Sequence, residues 1–135
     1  KKGVNRRVVF LGTKYGDELL VLYRSAAVFI LPSISENFGH SAVEAIGIGT
    51  PTILSSRLDL LDFEAIRAVV ATCDCTPGSM AAAIESVLGN LPFWKKRANR
   101  GKLLVRELFD VRAVASKMES KYVDCLRKAC VRSRQ

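Results

Sequence analysis

Short, wholly apolar runs alternate along this chain with longer amphipathic ones. Arg7-Val8-Val9-Phe10-Leu11 is β-branched and aromatic and stops at Gly12, which predicts a buried strand. From Asp17 to Ala27, Leu19, Leu20, Leu22, Tyr23 and Ala26 recur at helical spacing. Val28-Phe29-Ile30-Leu31 predicts a second strand, ended by Pro32. Gly39 to Ile48 carries Ala42, Val43, Ala45 and Ile46, the pattern of a short buried helix closed by Gly49. Thr52-Ile53-Leu54 gives a third strand, Leu58 to Arg67 a weaker helix, and Ala68 to Thr72 a fourth strand. Pro77-Gly78 marks a turn before a helix through Met80, Ile84, Val87 and Leu88, which Gly89 and Pro92 break. Two further helical stretches follow. The last places Val111, Val114, Ala115, Met118 and Tyr122 on one stripe, as expected of a helix docking onto a core.

Apolar strands alternating with helices imply an α/β, Rossmann-like parallel sheet with helices on both faces. The 135 residues suffice for a single domain with one core. Ligands of such sheets bind beyond the carboxyl ends of the strands. That directs attention to three loops, 12–16, 32–39 and 55–59.

Charge modifies this picture only in part. The net charge of +8 is concentrated in residues 91–135, which hold thirteen of the 21 Lys and Arg side chains. These are interleaved with apolar residues at helical spacing, the mark of a solvated helix face, so no nucleic acid is expected as a partner. Cys73 and Cys75 are two apart and Cys125 and Cys130 five apart, which fits no common zinc spacing, and there is a single histidine. Free thiols in a reducing compartment, hence a cytoplasmic location, are the expectation.

The loop with chemistry is Pro32-Ser33-Ile34-Ser35-Glu36-Asn37-Phe38-Gly39-His40-Ser41, leading into Ala42-Val43-Glu44-Ala45. A strand ends, a polar turn follows, and Gly39 permits close backbone approach just before a helix opens. The unpaired N–H groups and positive dipole end of that helix suit a phosphate or diphosphate. Glu36 falls in the turn and Glu44 one to two turns inside the helix. Carboxylates accept hydrogen bonds from sugar and ribose hydroxyls, so two of them flanking an anion site match the needs of a sugar nucleotide.

In this order, Phe10-Leu11-Gly12, Leu22-Tyr23, Pro32-Ser33, Glu36, Phe38-Gly39, Glu44-Ala45 and Gly49-Thr50-Pro51 resemble the signature region of the retaining, group 1 glycosyl transferases. That family has the two-Rossmann-domain (GT-B) fold and includes relatives of sucrose synthase and glycogen synthase. The resemblance is specific over Val9 to Pro51 and looser beyond. It implies that residues 1–135 are the donor-binding domain of a longer enzyme, inactive without the acceptor-binding N-terminal domain. It further implies that Glu36 holds hydroxyls of the donor hexose, and Glu44 those of the ribose. Phe38, Gly39, His40 and Ser41 would offer backbone contacts to sugar and phosphates, with Gly12 and Thr13 near the base. Neither a metal nor any other cofactor is expected. The family's diphosphate-gripping basic pair would precede the strand at Val8, and Arg6 and Arg7 are not assigned that role. A lipid-linked acceptor would be compatible with the basic last third and with peripheral contact to an anionic membrane. Ser55-Ser56-Arg57-Leu58-Asp59 stands where many relatives have small residues, which leaves the donor's identity open.

Plainer readings compete. Ser41 with Glu44, and Ser33 with Glu36, have the spacing of helix capping boxes. Glu36 also reads as a solvated turn carboxylate, His40 as a surface residue at a helix start, and Tyr15, Tyr23 and Phe38 as packing aromatics. The Cys73/Cys75 pair reads as strand alternation. A non-catalytic Rossmann-like module that binds a nucleotide or mediates assembly is the main alternative to an enzyme. A sugar-nucleotide epimerase would need further acid/base residues, and a basic domain for RNA or membrane surfaces would rest on the C-terminal charge alone.

Overall fold

The computed structural model describes residues 7–132, with side chains to residue 128. Three parallel strands form the sheet, in the order β1 (Phe29–Leu31), β2 (Thr52–Ser55) and β3 (Ala71–Cys73). Phe29 pairs with Thr52 and Leu31 with Leu54, while Ile53 pairs with Ala71 and Ser55 with Cys73. Helix α1 (Gly16–Ser25) precedes the sheet and α2 (His40–Ile48) crosses from β1 to β2. A 3-10 turn at Asp59–Asp62 and the single helical turn α3 (Glu64–Arg67) connect β2 to β3. Helices α4 (Pro77–Gly89), α5 (Leu91–Phe109) and α6 (Val111–Arg132) complete the chain.

Each strand sends alternate side chains to opposite faces, so both faces must be covered by apolar partners. On one face Leu54 packs with Phe29, Leu31, Ala42 and Ile46, closed over by Leu104, Val105 and Leu108 of α5. On the other, Ile53 and Cys73 pack with Ile30 and with Met80, Ile84 and Val87 of α4, and Trp94 seals the edge. The expected architecture of a parallel sheet with helices on both faces is therefore realised. Pro77-Gly78 belongs to α4 rather than to a preceding turn. Thr76 caps that helix by accepting a hydrogen bond from the Ser79 amide, and Pro77 takes the first turn, where its missing N–H is harmless.

Three expectations are corrected. Arg7 to Leu11 is not a buried strand: Val9 is 74% and Phe10 94% exposed, and the segment has no strand geometry. An apolar run states a tendency to be buried, but a strand exists only against a neighbour, and none among the described residues pairs with it. Ala68 to Thr72 becomes strand only from Ala71. Ala68 caps α3, donating to the Glu64 carbonyl, and Val69 donates to the Ile66 carbonyl, so the turn out of α3 absorbs residues 68–70. The stripe on α6 is not docked: Val111, Met118 and Tyr122 are 80%, 50% and 63% exposed. The period reports an amphipathic face without reporting what covers it.

Candidate functional site

The carboxyl ends of β1, β2 and β3 converge on one edge of the sheet, and the loops that leave them are tied together by side chains. Ser55, fully buried at the end of β2, lies with its Oγ 3.0 Å from the Sγ of Cys75. The Cys75 thiol reaches the Ser33 carbonyl at 3.4 Å, on the loop after β1. Ser55 Oγ also accepts from the Arg57 amide, and Ser56 Oγ donates to Asp74 at 2.9 Å. Cys75 therefore does more than continue the alternation of β3; it joins three post-strand loops. Cys73 stays buried on β3, where burial, with Cys75 and Asp74 nearby, pushes its thiol up from the ordinary range. Cys73, Cys75 and Cys125 are free thiols, and the Cys130 side chain lies outside the described residues.

From β1 the chain runs through Pro32 to Gly39 and enters α2. Gly39 is the N-cap, in the left-handed region at φ 72° and ψ 51°, a conformation costly to residues with a Cβ. Its surroundings are equally close: a Cβ there would sit 3.4 Å from Leu58 Cδ2 and 3.6 Å from Glu36 Cγ. The half-buried Glu36 thus folds over the start of the helix. The Gly39 carbonyl receives the Ala42 and Val43 amides, the first bonds of α2. The amides of the residues before Ala42 have no intrahelical acceptor, so His40 and Ser41 present donors at the positive end of the helix. Phe38 meets the ring of Phe109 edge-on at 5.3 Å and that of His40 at 5.3 Å. It is a packing aromatic that clamps the loop to the end of α5.

Glu44, the fifth residue of α2, is exposed. Because Gly39 is the N-cap and offers no side chain, Ser41 cannot cap α2 for a box with Glu44. No helix begins at Ser33, whose Oγ instead bonds the Ser35 carbonyl at 3.3 Å, so the second box is absent too. The Glu44 carboxylate receives the Tyr23 hydroxyl at 3.2 Å. Burial first, then the neighbouring Glu44 charge and that hydrogen bond, push the Tyr23 phenol up to about 12. Tyr23 does pack, meeting Phe29 edge-on, but its hydroxyl has this second task, which the sequence reading missed. The available signal was a lone phenol in an otherwise aliphatic helical stripe, since a buried Tyr hydroxyl calls for a partner.

Glu36, Phe38, Gly39, His40, Ser41 and Glu44 are thus gathered around one helix start. Gly12 and Thr13 are exposed on the irregular segment before α1 and do not belong to that loop. A cleft of about 380 Å³ involving Arg24, Lys95 and Asn99 lies at the opposite, amino end of β1 and β2. It adjoins the last turns of α1 and α2, whose carbonyls repel anions, and it lies at the wrong end of the strands for a ligand of this fold. Among the described residues no group of three His, Cys, Asp or Glu side chains could hold a metal ion, and no helix is long and apolar enough to cross a membrane.

Residues 1–102 match the family of group 1 glycosyl transferases. The chain belongs to that family. It is similar to an uncharacterised glycosyltransferase of Methanocaldococcus jannaschii, 36% identical over 89% of this chain and 31% of the relative. It is also similar to a glycogen synthase of Mycobacterium tuberculosis, 32% identical over 91% of this chain and 30% of the relative. Among solved structures it resembles a sucrose-phosphate synthase from Thermosynechococcus elongatus, with a TM-score of 0.79 and 27% identity over 93% of this chain and 32% of that one. The fold is thus that of one Rossmann-like half of a GT-B glycosyltransferase. The chain spans about a third of the length of the relatives it matches.

Proposed function

We propose that this chain is the donor-binding domain of a retaining hexosyltransferase that uses a nucleotide sugar. The observation that carries the reading is the arrangement about the start of α2: the half-buried Glu36 folded over Gly39, the free amides of His40 and Ser41, and Glu44 one turn further in. In this reading the amides of Phe38, Gly39, His40 and Ser41 receive the diphosphate and Glu36 orients the donor hexose. Glu44 accepts the ribose hydroxyls, and the exposed loop at Gly12 and Thr13 meets the base.

The acceptor's hydroxyl attacks the anomeric carbon on the face the diphosphate leaves, and its proton passes to a leaving phosphate oxygen. Donors already aimed at the phosphates stabilise the charge that develops there, which makes a metal ion unnecessary. The acceptor side, a glycan or a lipid-linked sugar held by a second domain, is not supplied by this chain, so residues 1–135 alone bind donor without turning it over. The setting is polysaccharide biosynthesis in the cytoplasm, with the basic α5 and α6 compatible with peripheral contact to an anionic membrane.

Calorimetric titration with UDP-, GDP- and ADP-sugars tests this. One donor is expected to bind at millimolar affinity or tighter, and Glu44→Ala to abolish that binding with the fold intact by circular dichroism. Binding of none, or binding indifferent to Glu44→Ala, would move the assignment to a non-catalytic module.

A further inference from the structure

Tyr23 is only 6% exposed and is fixed from three directions. Its ring meets Phe29 of β1 edge-on at 5.4 Å, its backbone carbonyl receives the Thr50 hydroxyl at 2.7 Å, and its hydroxyl reaches Glu44 Oε2 at 3.2 Å. The last of these joins helices α1 and α2, twenty-one residues apart in sequence. A phenylalanine would satisfy the packing, so the oxygen is there for its hydrogen bond. At its other end that bond meets an exposed, flexible glutamate whose carboxylate would otherwise sample several rotamers in water, an entropy that any ligand ordering it must overcome.

We infer that Tyr23 is a positioning residue: its hydroxyl holds Glu44 Oε2 so that Oε1 is presented, already oriented, to the ribose hydroxyls of the donor nucleotide. This rests on the proposed role of Glu44. A phenol suits the task better than a cation. Lys or Arg would pair with the carboxylate and spend its charge, whereas a neutral donor leaves the charge available to the ligand. Burial of the phenol keeps that donor protonated throughout the ordinary pH range.

The test is calorimetric titration of the chain, of Tyr23→Phe, of Glu44→Gln and of the double variant with UDP, GDP and ADP, each beside its 2′,3′-dideoxy counterpart. Tyr23→Phe is expected to weaken the ribonucleotide by about three- to tenfold, the range one hydrogen bond is worth. Binding of the dideoxynucleotide should not change. In the double variant Tyr23→Phe should cost less than it costs the parent, because the phenol acts through the side chain at position 44, where the glutamine amide retains only part of the contact. Equal weakening of ribo- and dideoxynucleotides would show a merely structural role and overturn the inference. Ribonucleotide binding sensitive to Glu44→Gln but not to Tyr23→Phe would overturn it as well. Ribonucleotide binding indifferent to Glu44→Gln, or absent altogether, would overturn the Glu44 assignment beneath it.

Discussion

Helices α2 and α5 meet without room for a methyl group, which makes a sharp prediction about Gly101. A Cβ built on Gly101 would lie 2.8 Å from Ile46 Cγ2 and 3.2 Å from Val69 Cγ2. Ile46 is 2% and Val69 3% exposed, and β-branched side chains have little rotamer freedom, so neither can swing aside. From α2 the complementary close point is Gly47, where a Cβ would meet Val105 Cγ1 at 3.1 Å. Replacing a helical Gly by Ala ordinarily gains about 1 kcal/mol. Overpacking a closed core costs about 1–3 kcal/mol, and the 2.8 Å approach argues for the middle of that range. Gly101→Ala should therefore destabilise the chain by about 1 kcal/mol. The comparison that isolates the clash is Gly78→Ala in α4, where nothing lies within 4 Å of the new methyl and up to about 1 kcal/mol of helix propensity is gained. Urea unfolding followed by far-ultraviolet circular dichroism would measure both, with a midpoint below the parent for Gly101→Ala and at or above it for Gly78→Ala. If Gly101→Ala stabilised the chain as much as Gly78→Ala, the close α2–α5 contact would be refuted, and with it the account of how α2 is held.

Two other predictions follow from the site's supports. The Tyr23 phenol is raised from 10.0 to about 12 in the fold, so its contribution is fully present below pH 10 and is lost as pH rises through about 12. Stability measured against pH should fall over that window in the parent and less in Tyr23→Phe; parallel profiles would contradict it. Cys75→Ala leaves the buried Ser55 hydroxyl without its sulfur partner and releases the Ser33 carbonyl, a loss of about 1 kcal/mol. Amide hydrogen exchange in residues 32–39 should quicken in that variant, and unchanged exchange would show that the thiol does not hold the loop.

The strands at residues 29–31 and 52–55 were legible because a doubly covered parallel strand is apolar at consecutive positions. The same reasoning failed at Val8 to Leu11, equally apolar yet exposed, because pairing is not a local property. Likewise the stripe of α6 announced an amphipathic helix without naming its cover. At the site, Glu36, Gly39 and Glu44 could be placed before and within α2 from the chain alone, since a helix start after a Gly-containing turn is a local feature. Spacing could not decide between capping and ligand binding for Glu44. Gly39, not Ser41, proved to be the cap, and that follows from φ and ψ values no sequence displays. The Tyr23–Glu44 and Cys75–Ser33 contacts span 21 and 42 residues, so they become visible only when the fold brings helices and loops together.

In the proposed function, the start of α2 receives the diphosphate of a nucleotide sugar. Amide chemical shifts of the isotope-labelled chain, followed during titration with the nucleotide sugars, test it most directly. The expected shifts centre on Phe38, Gly39, His40 and Ser41 and extend to Glu36 and Glu44. Shifts confined to the cleft around Arg24, Lys95 and Asn99, with the α2 start unmoved, would contradict it.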